Sequence, residues 1–124
     1  MKKIFMVLAS VVMLFPATMS AKGDDSKDLK IMSYNIRMGT ADDGTNSWKY
    51  RYPATGLMLK DVKPDIFGVQ EAFDFQENFI LTNFPEYKAV GVGRDDGKKK
   101  GEFMAIFWNK KTVKLMKWGT FWLS

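Results

Sequence analysis

Pro64-Asp65-Ile66-Phe67-Gly68-Val69-Gln70-Glu71 is a mostly apolar run that closes on an acidic side chain. Its length and its β-branched and aromatic content read as a buried strand, with Glu71 where that strand emerges into solvent. A second run, Leu29-Lys30-Ile31-Met32-Ser33-Tyr34-Asn35, also reads as a strand and ends in an amide. Between them Ala54, Leu57, Met58 and Val62 recur at helical spacing, which predicts an amphipathic helix over residues 53–63 with Pro53 tolerated in its first turn. Pro64 ends that helix, because the residue before a proline is pushed out of the helical region. Strand, helix and strand make a βαβ unit, which requires parallel neighbours joined by a right-handed crossover. Both strands then end on one edge of the sheet, and Asn35 can meet Glu71.

Outward from this unit, Phe75, Phe79 and Ile80 predict a second helix over residues 73–83, closed by Pro85. A short strand over 87–92, a charged loop over 93–101 and two strands over 103–108 and 113–121, around the turn Asn109-Lys110-Lys111, complete the pattern. The beginning of the chain differs. Lys2 and Lys3, an apolar stretch from Ile4 to Phe15, Pro16 and small residues ending near Ala21 have the layout of an export signal over residues 1–21. That stretch is shorter than the roughly 20 residues a membrane span needs, so the mature chain is expected to have no transmembrane segment. A polar, flexible lead-in over 22–28 follows.

The formal charge of +5 falls to +3 without Lys2 and Lys3, a balance compatible with an anionic substrate that does not demand one. The chain contains neither histidine nor cysteine, which excludes the usual zinc ligand sets, a cysteine nucleophile, a Ser-His-Asp triad and any disulfide within it. Oxygen donors remain for a cation, and they suit a hard ion such as Mg²⁺. Spacing alone leaves Glu71 open between a metal ligand and a surface carboxylate capping the next segment. Asn35 is likewise a neutral hydrogen-bond group at a metal site or a residue that turns the chain. Arg94, in the glycine-flanked Val92-Gly93-Arg94-Asp95-Asp96-Gly97, could clamp a phosphate or pair with Asp95 or Asp96. Asp42 and Asp43 read as turn residues, and Lys98-Lys99-Lys100 as a solvated loop tip. Trp48, Tyr50 and Tyr52 could form an aromatic lip, although such a density of rings is more often packing. Trp108, Trp118 and Trp122 are read as packing residues.

Met32-Ser33-Tyr34-Asn35-Ile36-Arg37 and the Pro64–Glu71 run together resemble the first two signature segments of the endonuclease/exonuclease/phosphatase superfamily. The likeness continues through Gly91–Gly97, Gly101–Trp108 and Gly119–Ser124. It implies a four-layer α/β sandwich, two mixed and mostly antiparallel sheets flanked by helices, of which residues 29–124 would be the N-terminal part. It also implies hydrolysis of a phosphodiester or phosphomonoester with Mg²⁺ (Mn²⁺ and Ca²⁺ being alternatives), Glu71 as the metal ligand and Asn35 as a catalytic amide. Glu102 would be a catalytic-site carboxylate that orients the family's histidine, which this sequence lacks. Nucleic acid, a phospholipid head group and a sugar phosphate are all substrates within the superfamily, and no stable protein partner is implied. The second-half Asp/Asn and Asp-His segments of the family are absent, so the expectation is an inactive fragment of an exported phosphoesterase, periplasmic or extracellular. The competing expectation is a non-catalytic module that binds an anionic partner through its basic loop and aromatics.

Overall fold

The computed structural model describes residues 28–121 and 123. The expected export signal and all but the last residue of the expected lead-in lie outside them, as does Trp122. In chain order the elements are β1 (Ile31–Asn35), a short 3₁₀ turn (Gly44–Asn46), α1 (Trp48–Val62), β2 (Ile66–Ala72), α2 (Asp74–Asn83), β3 (Tyr87–Val90) and β4 (Phe103–Asn109). The strands form one four-stranded sheet in the order β1-β2-β4-β3. β1 lies parallel to β2, from Ile31 opposite Ile66 to Asn35 opposite Gln70, while β4 runs antiparallel to both β2 and β3. This is the mixed α/β sheet expected for part of the sandwich, with the parallel pair where the βαβ reading placed it.

Alternation decides which side of the sheet is covered. Phe67 and Val69 on β2, and Phe103, Ala105 and Phe107 on β4, are buried together with Leu59 of α1 and Ile80 of α2. Phe67 stacks on Phe107, its register partner, with ring centroids 4.7 Å apart. Fully burying side chains of this size is worth about 1.5–3 kcal/mol each, so this layer is the main source of cohesion. On the other face Ile31, Met104 and Ile106 are exposed, since no described element covers them.

α1 begins five residues before the expected start, and Pro53 lies inside it rather than in its first turn. A proline there removes one helical hydrogen bond. Ring packing compensates: Trp48 and Tyr52, one turn apart, each meet Phe79 of α2 edge-on at 5.5 Å, Tyr52 keeping its outer side in solvent, next to the buried Thr55 and Leu59. Trp48 is therefore a packing residue, while Tyr52 is partly packed on Phe79 and partly exposed. Tyr50 points outward and carries Lys49 over its ring. The helix ends at Lys63 in the left-handed conformation (φ 48°), as Pro64 requires of its predecessor some departure from the helix.

Two strand expectations change. β3 stops at Val90, two residues short of the expected end; at the following Gly91 a Cβ would come within 2.8 Å of the Ala105 backbone. Residues 113–121 form no strand. Both edges of β4 are already taken, by β2 and β3, so the expected hairpin partner has no ladder to join. Trp118 is correspondingly half exposed rather than packed, whereas Trp108 is buried. Among the described residues no helix is long and apolar enough to cross a membrane.

At the rim where β2 begins, the buried Tyr87 hydroxyl donates to the Pro64 carbonyl at 2.7 Å. Burial, aided by the nearby Glu86 and Asp65 charges, pushes the phenol up to about 12. Its raised value means that this contribution is intact below pH 10 and is lost as pH rises towards 12. Tyr87→Phe should cost about 1–2 kcal/mol in urea unfolding at neutral pH, by leaving a buried carbonyl unpaired, and should remove that part of the alkaline destabilisation.

Candidate active site

Strict alternation along β2 would turn Glu71 to the same face as Phe67 and Val69, into the apolar layer beneath the helices. The chain avoids this with a bulge. Val69 pairs with Ala105 and Ala72 with Phe103, so β2 uses one residue more than β4 over this stretch. Ala72 takes the buried position, and Glu71, in the left-handed conformation at φ 59°, is carried to the rim with its side chain about one-third exposed. The extra residue is a device for aiming a side chain, a common use of bulges beside functional sites.

The parallel register sets Asn35 beside Gln70, one step from Glu71. The Asn35 Nδ2 donates to Glu71 Oε1 at 2.7 Å, and Asn35 Oδ1 accepts from the Arg37 backbone N–H at 2.9 Å, which fixes the orientation of the amide. The second carboxylate oxygen, Oε2, accepts from the Met38 N–H at 3.3 Å. Asn35 and Glu71 thus share one rim and point at each other.

Three further residues, unassigned from the sequence, surround the pair. Arg37, also left-handed at φ 62°, donates through Nε and Nη2 to both oxygens of Asp43, at 3.0 and 2.9 Å. Its Nη1 lies 3.9 Å from Glu71 Oε2 and donates no hydrogen bond among the described residues. Asp43 is thus more than a turn residue, for it fixes the guanidinium at the mouth of the site. The third is Gln76, fully buried at the start of α2. Arg37 falls two residues after Asn35, and that was the available signal; Asp43 read only as a turn residue although its partner is six residues away, and Gln76 carried no signal, because the loop it holds is 37 to 39 residues distant.

Electrostatics keep Glu71 ionised. The Asn35 hydrogen bond holds its carboxyl below the usual carboxylate value, aided by the Met38 N–H and the Arg37 charge, against partial desolvation and the charge of Asp43. The Arg37 hydrogen bond similarly lowers Asp43, and Asp43 raises Arg37 in return.

Arg94 and Glu102 form a separate pair. The Arg94 N–H bonds to the Glu102 carbonyl at 2.9 Å, and the side chains approach to 3.9 Å, so the partner of Arg94 is Glu102 rather than Asp95 or Asp96. Both line a recess of about 310 Å³ with Phe73, Asp95 and Gly101. Among the described residues no hydrogen bond or ion pair joins them to Asn35 or Glu71. Asp96 accepts from the Lys98 and Lys100 N–H groups, so the lysine run is a turn closed on its own aspartate, and Lys99 reaches Asp74 at 3.1 Å.

The donor set suits a hard ion. Among the described residues no three Asp, Glu, His or Cys side chains gather as a metal cluster, and Glu71 is the one carboxylate aimed at the rim beside Asn35. Mg²⁺ is commonly held by one or two carboxylates with water in its remaining positions, and Glu71 keeps lone pairs free beyond its two hydrogen bonds.

Solved structures share this fold. An endonuclease/exonuclease/phosphatase family protein from Bacteroides thetaiotaomicron is 41% identical, superposes with a TM-score of 0.72, and is matched over 77% of this chain and 35% of its own. Over about three quarters of its length the chain is similar to endonuclease/exonuclease/phosphatase family proteins. A second structure, the mannosyl-6-phosphatase of the same bacterium, is 40% identical with a TM-score of 0.73 over 78% of this chain and 37% of its own. A functionally unknown conserved protein from Enterococcus faecalis is 27% identical with a TM-score of 0.70, over 77% of this chain and 37% of its own. The chain therefore spans little more than a third of the length of these structures. No protein-family model and no curated protein matches the sequence.

The Asn35 contact predicts a measurable titration. Carboxyl ¹³C shifts should place Glu71 below an ordinary glutamate, and Asn35→Ala should move it upward. Because the folded value is the depressed one, the contact stabilises above the unfolded-state value and is lost as pH falls through the folded-state value.

Proposed function

We propose that this chain is the N-terminal part of an exported, Mg²⁺-dependent phosphoric ester hydrolase. The observation that carries the proposal is the 2.7 Å contact that brings Asn35 to Glu71 on the rim prepared by the β2 bulge. Glu71 would hold the ion, which when bound supplies Lewis-acid stabilisation of phosphoryl charge and a more acidic water. Asn35, with its oxygen fixed by the Arg37 N–H, presents its amide to a phosphate oxygen or to the attacking water without adding charge. The Arg37 Nη1 offers a cation beside Glu71, held there by Asp43. Arg94 would contact a more distant part of the substrate, and Glu102 would orient a histidine supplied from outside this chain.

Among nucleic acid, phospholipid head group and sugar phosphate, the sugar phosphate is favoured by the 40% identical mannosyl-6-phosphatase. The chain has no histidine to serve as general base and offers only part of such a site. Export rests on the Lys2-Lys3 and apolar leader pattern.

Mg²⁺ titration followed by amide chemical shifts should perturb Asn35, Met38 and Glu71, and Glu71→Gln should abolish the response. A response confined to Asp95 and Asp96, or none at all, would overturn the metal assignment. In the same preparation, hydrolysis of a hexose 6-phosphate with Mg²⁺ should remain near background. Turnover comparable with that of a full-length family member would refute the inactivity of the chain alone.

A further inference from the structure

Gln76 occupies the third helical position of α2 with its side chain fully buried, although the amide carries both donors and an acceptor. Its Oε1 accepts from two backbone N–H groups, Gly39 and Phe73, each at 3.0 Å. Its Nε2 donates to the Arg37 carbonyl at 3.0 Å. Phe73 follows the β2 bulge, and Arg37 and Gly39 belong to the loop that leaves β1, so one side chain joins the two segments that carry Asn35 and Glu71. These segments lie 37 and 39 residues from Gln76 in sequence on one side and three on the other.

The seat is closely fitted. A Cβ on Gly39 would stand 2.7 Å from Gln76 Cδ and 2.4 Å from the Phe75 ring, so the loop approaches α2 more closely than a side chain there permits. Both flanking left-handed residues, Arg37 and Glu71, hold conformations that disfavour any residue with a Cβ, and such backbones persist only where the surroundings over-determine them. The Gln76 hydrogen bonds supply that restraint for the Arg37–Gly39 loop, whose Met38 N–H bonds to Glu71.

We propose that Gln76 is a positioning residue of the proposed metal site: it locks the loop after β1 to the β2–α2 junction and thereby sets the Asn35–Glu71 geometry. The inference rests on the reading of Glu71 as the metal carboxylate, but its structural half stands without metal. Gln76 touches neither reacting atoms nor ligand and acts through the backbone of Arg37, Gly39 and Phe73.

The test uses the whole chain, with Gln76→Met to remove all three hydrogen bonds at similar volume and Gln76→Glu to keep the acceptor while losing the donor. Tyr87→Phe, at the opposite rim, is the control for lost stability. Two readouts are taken where each variant is folded: the Asn35 side-chain amide resonances without metal, and the Mg²⁺ dissociation constant from shift titration. In Gln76→Met the Asn35 amide resonances should move, and Mg²⁺ binding should weaken roughly tenfold or more, as for other residues that orient a metal ligand from behind. Gln76→Glu should show the same effects to a smaller degree, and Tyr87→Phe neither. Unchanged Asn35 resonances in folded Gln76 variants, or equal Mg²⁺ weakening in Tyr87→Phe, would overturn the proposal. Failure of the unsubstituted chain to bind Mg²⁺ would refute the metal reading and with it the metal half of this proposal, while the Asn35 resonances decide the positioning half. If Gln76→Met does not fold, Gln76→Glu decides by the same two readouts.

Discussion

Parallel pairing of β1 with β2 is the constraint from which the site follows. Two strands that run the same way must finish on the same edge, and the register sets Asn35 against Gln70 with Glu71 one residue further. Pairing alone would still bury the carboxylate, because side chains alternate and Glu71 shares its parity with Phe67 and Val69. The extra residue in β2 resolves this conflict: the apolar layer receives Ala72 while the charge receives the rim. Packing and chemistry are thus separated within two adjacent residues.

The charges at that rim are arranged in sequence rather than as isolated pairs. Asp43 holds Arg37 through both carboxylate oxygens, Arg37 directs its remaining nitrogen towards Glu71, and Asn35 hydrogen-bonds the carboxylate from the other side. Because these groups are largely solvated, the arrangement contributes little to global stability and much to local orientation. The Arg94–Glu102 pair stands apart from it, around its own recess.

Much of this was legible in the sequence wherever hydrophobic spacing or a proline carried the information. Pro64 marks the boundary between α1 and β2, and the apolar runs mark β1, β2 and β4. What escaped was long-range. The start of α1 depends on Trp48 and Tyr52 finding Phe79 on another helix, a contact that outweighs the unfavourable Pro53. Occupancy of both edges of β4, which no local propensity encodes, excludes residues 113–121 as its hairpin partner. Asn35 and Glu71 stood out because each ends an apolar run, and the family resemblance rather than spacing gave them site roles. Gln76 could not, because a buried amide serving three backbone groups resembles any polar helix residue until the loop it holds is seen.

The left-handed backbone at Glu71 sets thermodynamics against use. That conformation costs a residue with a Cβ about 1–2 kcal/mol, and glycine escapes most of the penalty. Replacement by glycine would therefore relax the strand end while deleting the carboxylate. Selecting such a protein for heat resistance alone would favour loss of the Glu71 carboxylate from that rim.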